Sequence, residues 1–297
     1  MTYIDRLKSS FEKSGSILCM GIDPVPEYIP EIKDDPSEGI RAFFGTLLNR
    51  MVQRGASPAA VKPNLGFFSS LDHPREGRFG GSEALSSVLD MLESLFPGIP
   101  VILDYKRGDI SRSSYNYAQE GFEAWKADAV TVSPYMGTDS VEPFLKKAGE
   151  RAGGVYILNR TSNPGGSEFQ NVYICKDEKP LFSLVAERIL SMSETYPGTG
   201  AVTGATSVEE LGNLCGYYGK GTVPLLIPGV GSQGGSMEDV VRILSDTGYD
   251  ASIVRVNVSS GITHPWVKEN TPVPGRWTDV CMDRFFYYRD AAAEVIG

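Results

Sequence analysis

Eight short, largely apolar runs rich in β-branched residues recur along this chain, and their number and spacing constrain the fold more than any other feature. The runs are Ser16–Gly21, Ala59–Lys62, Val101–Asp104, Ala129–Val132, Val155–Leu158, Ala201–Thr203, Val223–Ile227 and Ser252–Val256. Their apolar residues are continuous and do not alternate with polar ones, which is typical of parallel strands buried on both faces. We therefore interpret each run as one strand of a parallel sheet.

The intervals between the runs carry the residue patterns of amphipathic helices. Ile40–Val52 places apolar residues at the i, i+3, i+4 and i+7 positions of one helical face. Asp35-Pro36-Ser37-Glu38 precedes this segment with a capping-box pattern and a proline in the first turn, and Gly55 is expected to mark the helix end. Asp139-Ser140-Val141-Glu142 and Ser207-Val208-Glu209-Glu210 predict two further capped helix starts.

Alternating strands and helices place the chain in the α/β class. Dividing 297 residues by eight gives roughly 37 per unit, which suits a (β/α)8 TIM barrel with insertions. We predict a single barrel domain over residues 1–297, with a polar insert near 72–81, a tail from about 263 and a last helix near Trp277–Val295. The alternative is an open doubly wound sheet, but Gly21-Ile22-Asp23-Pro24 lacks the glycine-rich dinucleotide fingerprint of such a sheet.

Composition and charge exclude several classes of protein. A composition of 41% hydrophobic and 22% charged residues excludes intrinsic disorder, and no apolar run is long enough to cross a bilayer. A net charge of −9 disfavours nucleic-acid and anionic-membrane partners. The four cysteines are scattered without a CxxC pair, and the N-terminus lacks a signal-peptide pattern. We therefore expect a cytoplasmic protein without a zinc site or a disulfide framework.

Charged residues follow the third run, at the strand end where a (β/α)8 barrel has its active site. Asp104 and Lys106 are two positions apart, so strand alternation predicts that both side chains point to one face. Gly108 permits a tight turn that brings Asp109 back toward the site or toward a neighbour, and Lys62 ends the adjacent strand. Alternating ammonium and carboxylate groups would hold one another charged. A solvated salt-bridge network has the same pattern, so the cluster alone names no reaction.

A glycine-rich segment, Pro228-Gly229-Val230-Gly231-Ser232-Gln233-Gly234-Gly235, follows the seventh run. Glycines let backbone amides approach an anion closely, and the loops after strands seven and eight are the usual phosphate site of such barrels. The segment therefore predicts a phosphate site, although an ordinary tight turn has a similar composition.

Five motifs together resemble the orotidine 5′-phosphate decarboxylase family, in particular its longer-chain bacterial and archaeal subfamily. They are Gly21-Ile22-Asp23-Pro24, Lys62-Pro63-Asn64, Asp104-Tyr105-Lys106-Arg107-Gly108-Asp109-Ile110, Thr161-Ser162-Asn163-Pro164-Gly165 and Pro228-Gly229-Val230-Gly231-Ser232-Gln233-Gly234. The resemblance extends from about Asp23 to Ile262. It implies a (β/α)8 homodimer that converts orotidine 5′-phosphate to uridine 5′-phosphate in pyrimidine biosynthesis, with no cofactor and no metal.

The resemblance also implies roles for the matching residues. Lys62, Asp104, Lys106 and Asp109 match the family's catalytic charged tetrad. Lys106 would stabilise the carbanion left by loss of carbon dioxide and then protonate it, while Asp104 would lie against the departing carboxylate. Asp23 would hold ribose hydroxyls with Lys62, Ser162 would read the pyrimidine edge, and Gln233 would bridge base and phosphate. The full set of substrate-binding matches is Asp23, Ile110, Ser113, Ser162, Pro164, Gln233, Gly234, Gly235 and Ser260, with Asp109, Ile110 and Ser113 reaching into the partner subunit's site.

One position departs from the family pattern. Ser260 stands where the family carries an arginine that binds the phosphate, and a serine hydroxyl offers one neutral donor instead of a charged fork. We expect the amides of Gly234 and Gly235 and a substitute cation to bind the phosphate. The candidate cations are Arg255, His264, Lys268 and Arg276.

Two other functions stay open on the sequence. A magnesium-dependent sugar-phosphate lyase would share the Asp-x-Lys-x-x-Asp element that starts at Asp104, although an ammonium at Lys62 would repel the metal. The other is a nucleotide-binding barrel that lost turnover together with the arginine.

Overall fold

Eight parallel strands form one sheet in the computed structural model, which describes residues 1–30, 35–174, 178–219, 221–231 and 233–293. The strands are β1 (Leu18–Ile22), β2 (Ala60–Pro63), β3 (Ile102–Arg107), β4 (Ala129–Val132), β5 (Gly154–Arg160), β6 (Thr199–Thr203), β7 (Leu225–Ile227) and β8 (Val254–Val258). Each overlaps one of the runs found in the sequence. The predicted α/β class and the (β/α)8 barrel are therefore confirmed.

The strands lie in the order β2-β1-β8-β7-β6-β5-β4-β3, and every neighbouring pair in that order is parallel. The ring closes between β2 and β3. There the described residues form two isolated parallel bridges, Val61 with Val101 and Asn64 with Asp104, instead of a continuous ladder. Because all strands run the same way, their carboxyl ends meet at one rim of the barrel.

Helices alternate with the strands and cover the outside of the barrel. They are α1 (Tyr3–Ser14), α2 (Pro36–Gln53), α3 (Leu65–Ser69), α4 (Gly80–Leu95), α5 (Ser111–Gln119), α6 (Thr138–Arg151), α7 (Gly166–Gln170), α8 (Leu181–Thr195), α9 (Val208–Tyr218), α10 (Met237–Thr247), α11 (Ser260–Thr263), α12 (Pro265–Lys268) and α13 (Trp277–Ala293). Short 3-10 turns occupy Pro26–Tyr28, Pro74–Glu76 and Ala251–Ile253, a π turn continues α5 over Glu120–Ala124, and Tyr173–Ile174 pairs antiparallel with Lys179–Pro180. None of the helices within the described ranges is long and apolar enough to cross a membrane.

Local capping explains most of the helix starts. Asp35 caps α2 by accepting the amide of Ser37, and Ser207 caps α9 by accepting the amide of Glu210, as the sequence predicts. The predicted capping box at Asp139 is wrong. Helix α6 begins at Thr138 after Gly137, whose φ of 101° suits glycine, and no side chain caps it. The predicted end of the last helix at Val295 lies outside the described residues.

The core fills the barrel and the space between strands and helices. Every residue of β1, β2, β4, β6, β7 and β8 is buried. Helix α1, which the sequence patterns did not indicate, packs Tyr3 and Leu7 into this core. Cys19, Cys215 and Cys281 are buried free thiols, and Cys175 lies outside the described residues. The burial of both faces of the sheet is the reason for the continuous apolar runs in the sequence.

Candidate active site

A cavity of about 670 Å³ opens at the carboxyl ends of the strands, and each of the eight strands or the loop that follows it contributes to its lining. Its polar lining includes Asp23, Lys62, Asp104, Lys106 and Ser162. This is the rim where (β/α)8 barrels carry their active sites, because the loops after the strands converge there.

Three charged side chains form a continuous array in the wall of this cavity. Lys62 Nζ on β2 donates to Asp104 Oδ2 on β3 at 2.8 Å, and Lys106 Nζ donates to Asp104 Oδ1 at 2.6 Å. The side chains of Lys62 and Asp104 are 5% and 8% exposed, whereas that of Lys106 is 48% exposed. The carboxylate is thus held between two ammonium groups, one buried and one open to the cavity.

Both buried members of this array stay charged. Burial opposes the charge of Lys62, but attraction to Asp104 and Asp23 outweighs it and holds the pKa of Lys62 above its ordinary value. Burial likewise opposes the charge of Asp104, and its two lysine partners overcome that effect and hold its pKa below the ordinary range. Coulomb attraction at short range, in a part of the cavity wall that is shielded from water, is the physical cause of both pKa shifts.

The meeting of Asp104 and Lys106 has a different backbone origin from the one predicted. Regular alternation would have put both side chains on one face, but β3 is bulged between Leu103 and Arg107, where its register against β4 shifts. Lys106 itself adopts a φ of 45°, in the left-handed region. The bulge directs the Lys106 ammonium back onto the Asp104 carboxylate.

The turn after β3 points away from the cavity. Asp109 Oδ1 accepts the amide of Ile110 at 2.8 Å, and Ile110 is 52% exposed. Ser113 is exposed as well, and none of these three residues lines the cavity. Gly108 does not supply the left-handed conformation of this turn, which Lys106 and Ser111 adopt instead. A Cβ at Gly108 would lie 3.2 Å from Ser133 Cβ, so this glycine allows a close approach to the next strand end.

Other predicted substrate-binding residues converge on the cavity from separate strands. Asp23, Ser162, Gln233 and Ser260 all line it, and Pro164 is exposed outside the lining. Oδ1 of Asp23 is buried and accepts no hydrogen bond from the described residues. A buried carboxylate oxygen without a donor is a ready acceptor for a ligand hydroxyl.

The loop after β7 satisfies its own glycine amides. The amide of Gly235 donates to the Gly229 carbonyl at 3.0 Å, and that of Gly234 donates to the Gly231 carbonyl at 3.3 Å. Each of these N–H groups has a backbone partner in this conformation, and the expectation that the two amides bind phosphate stays a prediction. Among the described residues of this loop, Gln233 presents an exposed polar side chain to the cavity.

The four candidate cations occupy different surroundings. Arg255 is fully buried near the amino end of β8, and within the described ranges it donates to backbone carbonyls alone, so this candidate for the phosphate cation is wrong. His264 lines the cavity, but burial lowers its pKa to about 4, so it is neutral at pH 7. Arg276 does not line the cavity. Lys268 does not line it either, but its exposed side chain reaches the loop after β7, where Nζ donates to the Gly231 carbonyl at 3.1 Å.

Several cavity residues were given no role in the sequence analysis. Asn64, Thr131, Tyr28, Phe67 and Asn257 all line the site. Asn64 directly follows Lys62 and Pro63, so its place at a strand end was a usable signal. Thr131 gave no signal, because a threonine inside a buried strand has the β-branched pattern of ordinary core.

The fold and this site define a class of protein, a (β/α)8 barrel with an enzyme-type active site of buried, mutually paired charges at its strand ends. The chain belongs to the Orotidine 5′-phosphate decarboxylase / HUMPS family, whose family model matches residues 16–265. The family resemblance found in the sequence is thereby confirmed.

Individual relatives agree with this assignment. The chain is 38% identical over 242 residues to the orotidine 5′-phosphate decarboxylase of Ralstonia pickettii, covering 82% of this chain and 83% of the relative. It is 39% identical over 242 residues to the decarboxylase of that name from Cupriavidus taiwanensis, covering 82% of each. The structure of Leishmania donovani OMP decarboxylase is similar with a TM-score of 0.72 at 28% identity, covering 98% of this chain and all of that one.

Proposed function

We propose that this protein is a carboxy-lyase that decarboxylates orotidine 5′-phosphate to uridine 5′-phosphate in pyrimidine biosynthesis, without a cofactor. The observation that carries the proposal is the Lys62–Asp104–Lys106 array, with contacts of 2.8 and 2.6 Å in the wall of the strand-end cavity. The named relatives support the same reaction, since those compared above are called orotidine 5′-phosphate or OMP decarboxylases.

The chemistry requires a fixed cation beside the reacting carbon. When the bond to the carboxylate breaks, carbon dioxide leaves and the electron pair stays on the pyrimidine carbon. The Lys106 ammonium stabilises this pair and then donates its proton to the carbon, forming the new C–H bond, and it regains a proton from solvent. Asp104 and Lys62 hold Lys106 in place before the substrate arrives, so little reorganisation accompanies the change in charge.

The nucleotide is proposed to lie across the cavity from Asp23 to the loop after β7. Asp23 and Lys62 bind ribose hydroxyls, Ser162 reads the pyrimidine edge, and Gln233 bridges base and phosphate. Gln233 and Ser260 then bind the phosphate, with Lys268 as the cation that substitutes for the family's arginine. The contact between Lys268 and the Gly231 carbonyl supports this choice. Phosphate binding remote from the reacting carbon contributes energy that is realised in the transition state.

Asp109, Ile110 and Ser113 are proposed to complete the site of a second subunit in a homodimer located in the cytoplasm. The outward turn after β3 and the 52% exposure of Ile110 support this arrangement. Mixing Lys106→Ala and Asp109→Ala chains would create hybrid dimers in which one site has both residues intact. Partial recovery of activity is expected. If the subunits exchange and no activity returns, the shared site is wrong.

The magnesium-dependent alternative is disfavoured by the charge of the site. Lys62 is buried with its pKa above the ordinary value, so a permanent ammonium occupies the position beside Asp104. A divalent cation bound to the same carboxylate would meet strong repulsion.

The decisive experiment is turnover of orotidine 5′-phosphate by the purified protein in the presence of EDTA, followed by the loss of ultraviolet absorbance. Full activity in the chelator is expected. Activity that disappears in EDTA and returns with magnesium would contradict the metal-free reaction. Nucleotide binding without turnover would instead identify a non-catalytic barrel.

The phosphate assignment has its own test. Lys268→Ala is expected to raise KM several-fold, whereas Ser260→Arg in that variant should lower it again by restoring a charged fork. An unchanged KM in Lys268→Ala would exclude Lys268 as the substitute cation.

A further inference from the structure

The bulge in β3 leaves three residues facing a single residue of β4. Leu103 pairs with Val130 and Arg107 pairs with Val132, so the three residues from Asp104 to Lys106 lie opposite Thr131 alone. A bulge of this kind interrupts the ladder and leaves backbone donors without their usual partners. The amides of Tyr105 and Lys106 are the two donors concerned.

Thr131 supplies the missing partners with its side chain. Its Oγ1 accepts the amide of Tyr105 at 3.1 Å and the amide of Lys106 at 3.0 Å. The same hydroxyl donates to Asp104 Oδ1 at 2.9 Å. A hydroxyl has two lone pairs and one proton, so one buried oxygen uses its whole hydrogen-bonding capacity on this bulge.

These three hydrogen bonds act on both ends of the charged array. The amide contact restrains Lys106 in its left-handed conformation, with φ 45°, which is uncommon and costly for a residue other than glycine. The donated hydrogen bond fixes the rotation of the Asp104 carboxylate, whose Oδ1 also receives Lys106 Nζ. Thr131 therefore connects the backbone that carries the ammonium with the carboxylate that orients it.

We propose that Thr131 is a positioning residue for the decarboxylation, acting through the β3 bulge to hold Lys106 and Asp104 in their reacting geometry. The inference rests on the proposed function for its rate effect, whereas its structural part depends on the hydrogen bonds alone. Misplacement of a reacting group by about 1 Å lowers rates by about 100-fold.

Another threonine of the barrel provides a matched control. Thr203, at the end of β6, is fully buried, and its Oγ1 has no hydrogen-bond partner among the described residues. It does not line the cavity. Replacement of either threonine by valine keeps the β-branched shape and removes only the hydroxyl, so the two variants differ in what that hydroxyl contacts.

The experiment compares Thr131→Val, Thr131→Ser and Thr203→Val with the wild-type enzyme in kcat, KM and thermal midpoint. Thr131→Val is expected to lose about 100-fold in kcat with KM within about threefold, because the residues that bind ribose, base and phosphate lie off the bulge. Thr131→Ser keeps the oxygen and should restore kcat to within a few-fold of wild type. Thr203→Val should leave both constants unchanged.

The outcomes separate this inference from the proposed function. An active wild type with unchanged kcat in Thr131→Val, or with equal losses in the serine and valine variants, overturns the positioning role and leaves the reaction standing. If Thr131→Val does not fold, Thr131→Ser and Thr131→Ala form the same comparison of one oxygen present or absent. A wild type that does not decarboxylate the nucleotide overturns the proposed function, and crystal structures of the variants then decide. If Thr131→Val loses the left-handed conformation of Lys106 and the contact between Lys106 and Asp104, the inference is supported. If both are retained, it is overturned.

Discussion

The two ends of the barrel both bury positive charge, and they stabilise it in opposite ways. At the carboxyl end, Lys62 and Lys106 share the carboxylate of Asp104, and Lys106 keeps half of its side chain open to the cavity. At the amino end, Arg255 is fully buried and donates to the carbonyls of Leu7, Ala59, Ser252 and Val254, at 2.5 to 3.1 Å.

The difference separates a reactive charge from a structural one. Neutral carbonyls from α1, from the residue before β2, from the 3-10 turn before β8 and from β8 satisfy the buried Arg255 guanidinium, so it is not available to a ligand. The ammonium of Lys106 has one carboxylate partner and an open side, so a substrate can approach it without breaking the array. Substitutions at the two ends should therefore separate activity from stability.

The largest effect is expected for Lys106→Ala, because carbanion stabilisation and proton delivery are both assigned to this ammonium. Loss of a positioned proton donor alone typically lowers the rate by about 10² to 10⁴-fold. Steady-state turnover measures the loss, and urea unfolding should give a stability close to that of wild type. A variant that keeps most of its activity would contradict the role of Lys106.

Arg255→Met should have the reverse profile. Removal of the guanidinium leaves several buried carbonyls without donors, and we expect a loss of about 3 to 5 kcal/mol in the free energy of unfolding. The folded fraction should keep a near-normal kcat. Arg242→Met, at a side chain that is 60% exposed, is the control and should change stability by less than about 0.5 kcal/mol. Equal destabilisation by the two variants would contradict the structural role of Arg255.

Acid pH should lower the free energy of unfolding in two stages, both caused by groups at the carboxyl end of the barrel. Burial lowers the pKa of His264 from 6.5 to about 4, so the native state resists protonation and stability falls as the pH drops from about 6.5 to about 4, by roughly 3 kcal/mol in all. Below pH 4 the lowered pKa of Asp104 adds a second loss. Urea unfolding at a series of pH values measures both stages. His264→Phe should remove the first stage. If the free energy of unfolding of this variant still falls with pH as in wild type over this range, the first stage does not come from His264.

The smallest effect is expected for Tyr3→Phe at the amino end. Tyr3 donates its hydroxyl to that of Tyr156 at 3.1 Å, and both rings are buried. Deletion of one hydroxyl leaves the other without this partner and should cost about 1 kcal/mol of stability with no change in activity. Thermal unfolding measures it, and a change in kcat would show that the two ends are coupled.

The sequence predicted the strands well because parallel strands buried on both faces must be continuously apolar, and few other structures have that pattern. Helix α1 escaped because its buried residues Tyr3, Leu7 and Ser10 form a narrow stripe among polar neighbours. The false capping box at Asp139 shows that a short polar motif is not sufficient when a glycine with positive φ, two residues earlier, directly precedes the helix.

The site was predictable as a set of charges but not as a geometry. Lys62, Asp104 and Lys106 were found because charged residues at strand ends are conspicuous. The bulge that brings two of them together depends on Thr131, a residue 25 positions after Lys106, and no local pattern reports such a contact. Arg255 was one of four candidate cations in the sequence, and a position near the last strand does not tell at which end of the barrel a side chain lies.

A barrel is a closed ring of strands, and it is expected to open first between the two neighbouring strands that share the fewest backbone hydrogen bonds. β4 and β5 share four paired positions, whereas the described parts of β2 and β3 meet at two isolated bridges. Lys62 belongs to β2 and Asp104 to β3, so their ion pair of 2.8 Å joins the two strands where their backbone pairing is sparse. Lys62 and Asp104 therefore also hold β2 against β3, and a chain without this ion pair is expected to exchange its backbone amide hydrogens fastest between these two strands.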